Sequence, residues 1–180
     1  MRLLIIIVAA LSSCAMQAGK YSKPRINSNS SIPSGRIFEQ QFLTKVNALR
    51  TSGCKCGNTY MPPVAPLKWD MQLQFSALNH ARDMFKNNYF NHTSLKGETI
   101  KQRFEAGGYK LNGTRAYSIG ENIAFGQRSI DEVMQSWIKS VGHCKNLMNP
   151  AFKDIGVAQS NYYWVQEFGM HIPFQAITSL

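Results

Sequence analysis

Hydrophobic residues recur at helical spacing in several segments of the chain. In residues 37–51 the apolar side chains are three to five positions apart, which places them on one face of a helix. Asp70 is a good N-cap for a second helix, in which apolar positions also recur at helical spacing. Two shorter helices are predicted. One covers residues 99–106 and ends at a glycine pair, and the other begins at Ser129, has the pattern of a capping box and extends its apolar side to Val141.

Strand signals are concentrated in the second half of the chain. Residues 118–125, 155–159 and 163–168 are predicted strands, and the gap between the last two suits a hairpin turn. Prolines exclude a helix from residues 57–66, which are expected to form a loop. Helices that surround a few antiparallel strands give an α+β fold class, and a chain of 180 residues is long enough for one such domain.

The first residues have the features of a secretory signal. The uncharged apolar run of residues 3–11 is too short to span a bilayer, which takes about 20 residues, and suits the h-region of a signal peptide. Leu-Ser-Ser-Cys follows directly and resembles a bacterial lipobox, which predicts removal of residues 1–13 and lipidation of Cys14. Ordinary cleavage after Ala18 is the alternative. Residues 14–36 are expected to be a flexible tether between the lipid and the folded domain.

Composition and charge narrow the choice of partners. Hydrophobic residues make up 44% of the chain and charged residues 17%, which is a globular composition. The formal net charge of +10 favours anionic surroundings, such as a lipid surface or an envelope polymer. Nucleic acid is disfavoured, because the basic residues are dispersed and the signal directs the protein out of the cytoplasm. We expect secretion across the inner membrane and lipid anchoring at the outer membrane, since no acidic residue directly follows Cys14. The oligomeric state is left open.

Candidate chemistry lies in three short segments that contain His92, Glu121 and His143. These residue types bind divalent metals or polarise water. Their separations of 29 and 22 residues are not those of a local metal motif, so the residues alone leave a structural role for each histidine open. Ser140, three residues before His143, is a weaker candidate for a hydrolase nucleophile.

The order of the segments resembles the CAP superfamily, which comprises cysteine-rich secretory, antigen 5 and pathogenesis-related one proteins. The resemblance is carried by VNALR at 46–50, PLKW at 66–69, HARDM at 80–84, FNH at 90–92, GENIA at 120–124, WIKSVGHCKNLMNP at 137–150, NPAFKDIGVA at 149–158 and YWVQEFG at 163–169. The SVGH stretch resembles the bacterial branch. This resemblance implies an α-β-α sandwich with a small antiparallel sheet between helical layers, in a domain that we place at residues 37–180.

The resemblance also implies a cleft with two histidines and two acids. His92, Glu121 and His143 occupy three of these four places, and the fourth falls on Ser140. Some family members bind a divalent ion through the histidine pair, so His92 and His143 are candidate ligands for a zinc-like cation. Glu121 is then a candidate catalytic base or water-orienting residue. The missing acid leaves a two-histidine site with open positions, which is weak metal ligation.

Three cysteines remain when Cys14 is assigned to the lipid. In an oxidising envelope compartment one pair is expected to close, and a bridge from the loop after the first helix to Cys144 would clamp the cleft. Cys56, which is followed by Gly57, is the preferred partner of Cys144. Cys54 is then a free thiol. A Cys54–Cys144 bridge stays open as an alternative, and a Cys54–Cys56 bridge would be strained. Structural zinc held by the three cysteines and a histidine is a further alternative.

Three functions are compatible with these residues. The first is a non-enzymatic envelope module that binds a ligand, a surface polymer or a partner protein through the cleft. The second is a metal-assisted hydrolase that acts on envelope or extracellular substrates. The third is a lipid or sterol carrier, a role known within the superfamily. We favour the first, because members of the superfamily share a scaffold without sharing one reaction.

Overall fold

The computed structural model describes residues 35–174, which form five helices and six strands. The predicted signal peptide, Cys14 and nearly all of the predicted tether lie outside the described residues. The helices are α1 (Arg36–Ser52), α2 (Met71–Asn87), α3 (Ile100–Gly107), α4 (Ile130–Lys139) and α5 (Val141–Leu147). In the described part of the chain, no helix is both long and apolar enough to span a bilayer. The four predicted helices are confirmed, while α5 is a fifth helix that the sequence patterns did not predict.

The strands form two separate sheets. The strands are β1 (Cys54–Cys56), β2 (Thr59–Met61), β3 (Lys68–Trp69), β4 (Thr114–Phe125), β5 (Asp154–Ser160) and β6 (Tyr163–Pro173). The first two pair as a small antiparallel hairpin. The prediction of a loop over residues 57–66 is therefore wrong for residues 59–61, which form β2. The other four lie in the order β3-β5-β6-β4, and β3 pairs with β5 in parallel, so the main sheet is mixed at that edge.

Local hydrogen bonds explain where the helices begin. The Asp70 carboxylate accepts from the backbone N–H groups of Gln72 and Leu73 at 2.8 and 2.9 Å, as expected for an N-cap. The Ser129 hydroxyl likewise accepts from the N–H of Glu132 at 3.2 Å. The glutamate does not complete the predicted capping box, because its carboxylate accepts from the N–H of Arg128 instead, at 2.8 Å.

The break between α4 and α5 corrects the prediction for Val141. Ser140 has an extended backbone with φ −83° and ψ 120°, and its carbonyl accepts from the N–H of Cys144 at 2.8 Å. The helical path therefore changes direction at Ser140. Val141 begins α5 and is 46% exposed, so it does not continue the buried side of α4 as expected.

The main sheet lies between two helical layers, as the resemblance implied. On β5, Ile155 and Val157 point to the α1–α4–α5 side, whereas Ala158 points to α2. Gly156 also faces α2, and a Cβ on this glycine would lie 2.1 Å from the backbone nitrogen of Gln74. The glycine therefore sets how closely α2 approaches the sheet.

A buried arginine connects α1 to two distant loops. Arg50 is fully buried, and its guanidinium donates to the carbonyls of Ala65 at 2.7 Å, Leu147 at 2.7 Å and Asn149 at 3.1 Å. A longer bond of 3.5 Å reaches the carbonyl of Phe152. Burial lowers the pKa of Arg50 to about 10, and this value still leaves the side chain charged at neutral pH. The Arg50 guanidinium thus satisfies carbonyl groups at the end of α5 and in the segment that leads to β5.

Candidate functional site

The site is built around the buried carboxylate of Glu121 on the edge strand β4. Its Oε1 lies 2.7 Å from His92 Nδ1, and its Oε2 accepts from Nη2 of Arg103 at 2.6 Å. The side chain of Glu121 is 0% exposed. Both oxygens are therefore bonded inside the protein, and the charge of the carboxylate is balanced by a buried guanidinium.

Arg103 on α3 also fixes the backbone that carries His92. A second guanidinium nitrogen, Nη1, donates to the carbonyl of His92 at 2.9 Å and to that of Glu98 at 3.2 Å. The arginine thus holds the histidine twice, once through Glu121 and once through the main chain. Sequence reasoning did not find Arg103, because nothing in the short α3 segment marks one basic residue as different from its neighbours.

The His92 ring faces outward from this buried anchor. Its side chain is 48% exposed, whereas its carboxylate partner is fully enclosed. Because the Glu121 oxygen is an acceptor, we assign the proton to Nδ1 of the neutral ring. Nε2 is then the nitrogen with a lone pair that can accept a hydrogen bond or ligate a metal.

His143 lies on α5, beside the opposite face of β4. Glu121 and Asn122 are consecutive on the strand, so their side chains point to opposite faces. The Asn122 amide donates to the carbonyl of His143 at 3.2 Å. Partial burial lowers the pKa of His143, and the positive charge that His92 carries when it is protonated lowers it further.

A network of amides attaches α5 to β4. Asn146 Nδ2 donates to Oδ1 of Asn122 at 2.9 Å and to the carbonyl of Glu121 at 3.2 Å. The Asn122 amide in turn donates to Gln166 Oε1 on β6 at 2.9 Å. Each of these residues stands in a segment that carries the family resemblance, and that placement was the signal that could have identified them.

A second carboxyl lies behind Glu121. Glu167 on β6 is directly opposite Glu121 in the ladder and is fully buried. The hydroxyl of Ser76 donates to it at 3.0 Å. Burial, followed by the nearby negative charge of Glu121, raises the pKa of Glu167 well above its ordinary value of 4.5. A charged residue within the apolar strand 163–168 was the sequence signal for this position.

His80 supports the loop before the site from inside the protein. It is buried on α2, and its Nε2 lies 3.0 Å from the carbonyl of Asn91, the residue before His92. Burial lowers the pKa of His80 more than the neighbouring acids raise it, so the ring is neutral at neutral pH. His80 is therefore a structural histidine that positions the segment carrying His92.

A cavity of about 420 Å³ adjoins this buried cluster. Ser76, His80 and Arg103 contribute to its wall, and Lys96 and Glu98 from the loop before α3 line it as well. Its volume is within the range of small-molecule pockets, about 300–1,000 Å³. The cavity shares Arg103 with the site, but His92, Glu121 and His143 are not among the residues that line it.

The cysteines form the predicted bridge. Cys56 and Cys144 are joined by a disulfide, and Cys54 is a free thiol. Among residues 35–174, the three sulfurs are the set of three His, Cys, Asp or Glu donors that lie within 4.8 Å of one another. Cys144 follows His143, so the disulfide joins β1 to the helix that carries the second candidate histidine.

Comparisons with known proteins assign the family. The model of the family described as "CAP: Cysteine-rich secretory protein family" matches residues 43–168. The Bacillus subtilis proteins YkwD and YlbC, the latter named a membrane protein, are 35% and 33% identical over 80% and 72% of this chain. The chain spans 52% and 34% of the lengths of these two relatives.

Solved structures agree with this assignment. An extracellular protein containing an SCP domain, from Bacillus anthracis, has a TM-score of 0.59 and 32% identity over 72% of this chain and 39% of its own. An outer surface protein of Borrelia burgdorferi has a TM-score of 0.56 over 77% of this chain and 94% of its own, and at 19% identity it supports the fold alone. With a family model that matches most of the described residues, the chain belongs to the cysteine-rich secretory protein (CAP) family.

Proposed function

We propose that this chain is an envelope CAP-domain protein that binds a ligand at the edge of β4, through His92 and His143, without catalysing a reaction on it. The observation that supports this most is the environment of Glu121, which is enclosed and bonded through both oxygens to Arg103 and His92. An arrangement of this kind fixes the direction of an imidazole that is itself open to solvent. A fixed, half-exposed ring is suited to recognition.

The same geometry counts against a hydrolase in which Glu121 is the base. A general base must reach the proton that it removes, directly or through one water. The two oxygens of Glu121 instead contact His92 and Arg103, and the side chain is enclosed. Glu121 is therefore assigned as a positioning residue, which acts through His92.

A divalent cation fits this site as an exchangeable ligand better than as a resident cofactor. The rings of His92 and His143 offer two nitrogen donors. Glu121 is committed to Arg103, and Ser140 stands where the resemblance places the second acid. A catalytic zinc centre ordinarily has three protein ligands, so two imidazoles would hold zinc weakly.

An envelope location with a lipid anchor at Cys14 is part of the proposal. The lipobox after the apolar run supports lipidation, and one relative is named an extracellular protein and another a membrane protein. Mass spectrometry of the mature N-terminus is the test. We expect a diacylated or triacylated chain that begins at Cys14, and an unmodified chain that begins at Gly19 would contradict the anchor while leaving the ligand site untouched.

Co-sedimentation with purified peptidoglycan tests the binding function. Because the chain carries a net charge of +10, some binding will be electrostatic, and high salt removes this part by screening. We expect His92→Gln and His143→Gln each to lower the salt-resistant bound fraction. His171→Gln is the matched control, since His171 is exposed on β6 and its Nδ1 lies 2.7 Å from the carbonyl of Lys110. Equal salt-resistant binding by all four proteins would contradict the site.

Zinc titration by calorimetry tests the metal component separately. We expect weak binding that decreases as the pH falls through the histidine range, because protonated rings cannot ligate. His92→Gln should abolish it, and His171→Gln should not change it. Tight binding that survives loss of His92 would place the metal elsewhere, with the cysteine cluster as the first position to examine.

A further inference from the structure

Cys54 lies against both sulfurs of the disulfide. Its Sγ is 3.8 Å from Sγ of Cys144 and 3.9 Å from Sγ of Cys56. The arrangement follows from the local structure, because Cys54 and Cys56 are two residues apart on β1 and so point to the same face of the strand. Both face α5, where Cys144 lies.

The three sulfurs differ in their access to solvent. Cys56 and Cys144 are both 0% exposed, and Met148 packs with them from the end of α5. Cys54 is partly exposed at the start of the hairpin. A thiol in solution therefore cannot reach either sulfur of the buried bridge in the folded protein, but it can reach Cys54.

We propose that Cys54 is a relay thiol, through which external dithiols reduce the buried Cys56–Cys144 bridge. In the first step the Cys54 thiolate attacks Sγ of Cys144. The Cys54–Cys144 bond forms, the Cys56–Cys144 bond breaks, and Cys56 leaves as a thiolate that takes up the proton released by Cys54. This step is an isomerisation without net oxidation or reduction.

The second step brings the disulfide to the surface. A thiolate of the external dithiol attacks the partly exposed Cys54 sulfur, forms a mixed disulfide with it and releases Cys144 as a thiolate. The second thiol of the reagent then attacks its own sulfur in that mixed disulfide, leaves as a cyclic disulfide and restores the Cys54 thiol. The dithiol loses two electrons, and the protein disulfide gains them.

The exchange is directed to Cys144 rather than to Cys56. Attack on Cys56 would join residues two apart on a strand, whose Cα atoms are about 6.6 Å apart, at the upper limit for a disulfide. Because Cys54 is almost equidistant from the two sulfurs, it lies beside the bond and not on its axis. In-line attack on Cys144 therefore requires a movement of the β1–β2 hairpin, which is a short two-stranded sheet separate from the main one.

Reduction kinetics of the full chain test this proposal. Native wild-type protein, Cys54→Ser and the control Ser52→Ala are treated with dithiothreitol, and new thiols are counted by alkylation and mass spectrometry. We expect Cys54→Ser to slow reduction by about tenfold or more, and Ser52→Ala to leave the rate unchanged. The wild-type rate should rise with pH, because burial raises the pKa of Cys54 and leaves little thiolate at neutral pH.

Two further measurements keep the result independent of folding defects. In concentrated guanidinium all three proteins should be reduced at the same rate, since the bridge is then open to the reagent. In Cys56→Ser, oxidising conditions should produce a Cys54–Cys144 disulfide. Equal native rates for wild type and Cys54→Ser, or unpaired Cys54 and Cys144 in Cys56→Ser, would overturn the proposal.

Discussion

Glu121 and Glu167 face each other across the β4–β6 ladder, and both carboxyl groups are buried. Their partners differ. Glu121 is bonded to Arg103 and His92, whereas Glu167 accepts one hydrogen bond from Ser76. Two buried carboxyl groups on directly opposite residues disfavour each other's ionisation. Arg103 is the buried cation beside Glu121, whereas burial and the nearby Glu121 raise the pKa of Glu167 well above its ordinary value.

Replacing Glu167 with glutamine tests whether the buried Glu167 carboxyl resists ionisation. The pKa of Glu167 is raised in the folded state, so the unfolded carboxyl ionises at a lower pH than the folded one. The free energy of unfolding is therefore highest below the ordinary pKa of 4.5 and decreases as the pH rises above it. A glutamine does not ionise, so Glu167→Gln does not lose stability in this way as the pH rises. We expect equal free energies of unfolding at pH 4, and at pH 7 a variant more stable than wild type by about 1 kcal/mol or more.

Urea unfolding at the two pH values is the measurement for Glu167→Gln. Glu39→Gln, in the first turn of α1, is the control and should show no comparable change between them. A variant that is less stable than wild type at pH 7 would mean that Glu167 is ionised in the fold.

The electrostatic influence of His92 on His143 predicts a coupled titration. Burial lowers the pKa of His143, and the charge that His92 carries when protonated contributes as well, so removal of the His92 ring should move this pKa toward its ordinary value of 6.5. Nuclear magnetic resonance titration of the ring signals in His92→Gln measures this. His171→Gln should leave His143 unchanged, and an identical His143 titration in all three proteins would show that the rings are not neighbours.

The contact at Gly156 predicts a large loss of stability on adding one methyl group. A Cβ there would lie 2.1 Å from the Gln74 nitrogen and 2.4 Å from the Leu73 carbonyl carbon, and backbone atoms cannot move aside as a side chain does. Gly156→Ala should cost roughly 3 kcal/mol or fail to fold. Gly142→Ala is the matched control, since a Cβ at that position would have open space within 4 Å, and it should be neutral or stabilising. Denaturant midpoints distinguish these outcomes.

Loss of the Arg50 guanidinium should also lower the free energy of unfolding strongly, because buried carbonyl groups lose their hydrogen-bond donor. Arg50→Met keeps much of the buried volume but leaves the carbonyls of Ala65, Leu147 and Asn149 without their donor. We expect a loss of roughly 3–5 kcal/mol in the free energy of unfolding. Arg115→Met, at an exposed position on β4, should change it by less than about 1 kcal/mol. Similar losses in both variants would contradict the role of the buried hydrogen bonds.

Most of the helical framework could be predicted from local signals. The α1 and α2 boundaries agree closely with residues 37–51 and the Asp70 cap, because spacing and capping are local properties of the chain. The start of β4 was missed. Its first residues, including Arg115 and Tyr117, are exposed and have no alternating pattern, and they become a strand by pairing with the end of β6.

The contact between His92 and Glu121 could be expected from the sequence, but the organisation around it could not. The resemblance identified His92, Glu121 and His143, yet it suggested an accessible acid at Glu121. The guanidinium that encloses this carboxylate comes from Arg103, which is 18 residues away and on another element, so no spacing rule relates the two. Burial and charge pairing of this kind depend on tertiary packing, which local patterns do not report.

The disulfide has a consequence for limited proteolysis. Cys56 and Cys144 are 88 positions apart, and the chain between them includes α2, α3, β4, α4 and all three residues of the predicted cleft. A single cut within this loop leaves two fragments that remain covalently joined. A nicked molecule would therefore keep the mass of the intact chain, increased by one water, until the bridge is reduced, and a single cut could not separate His92 from His143.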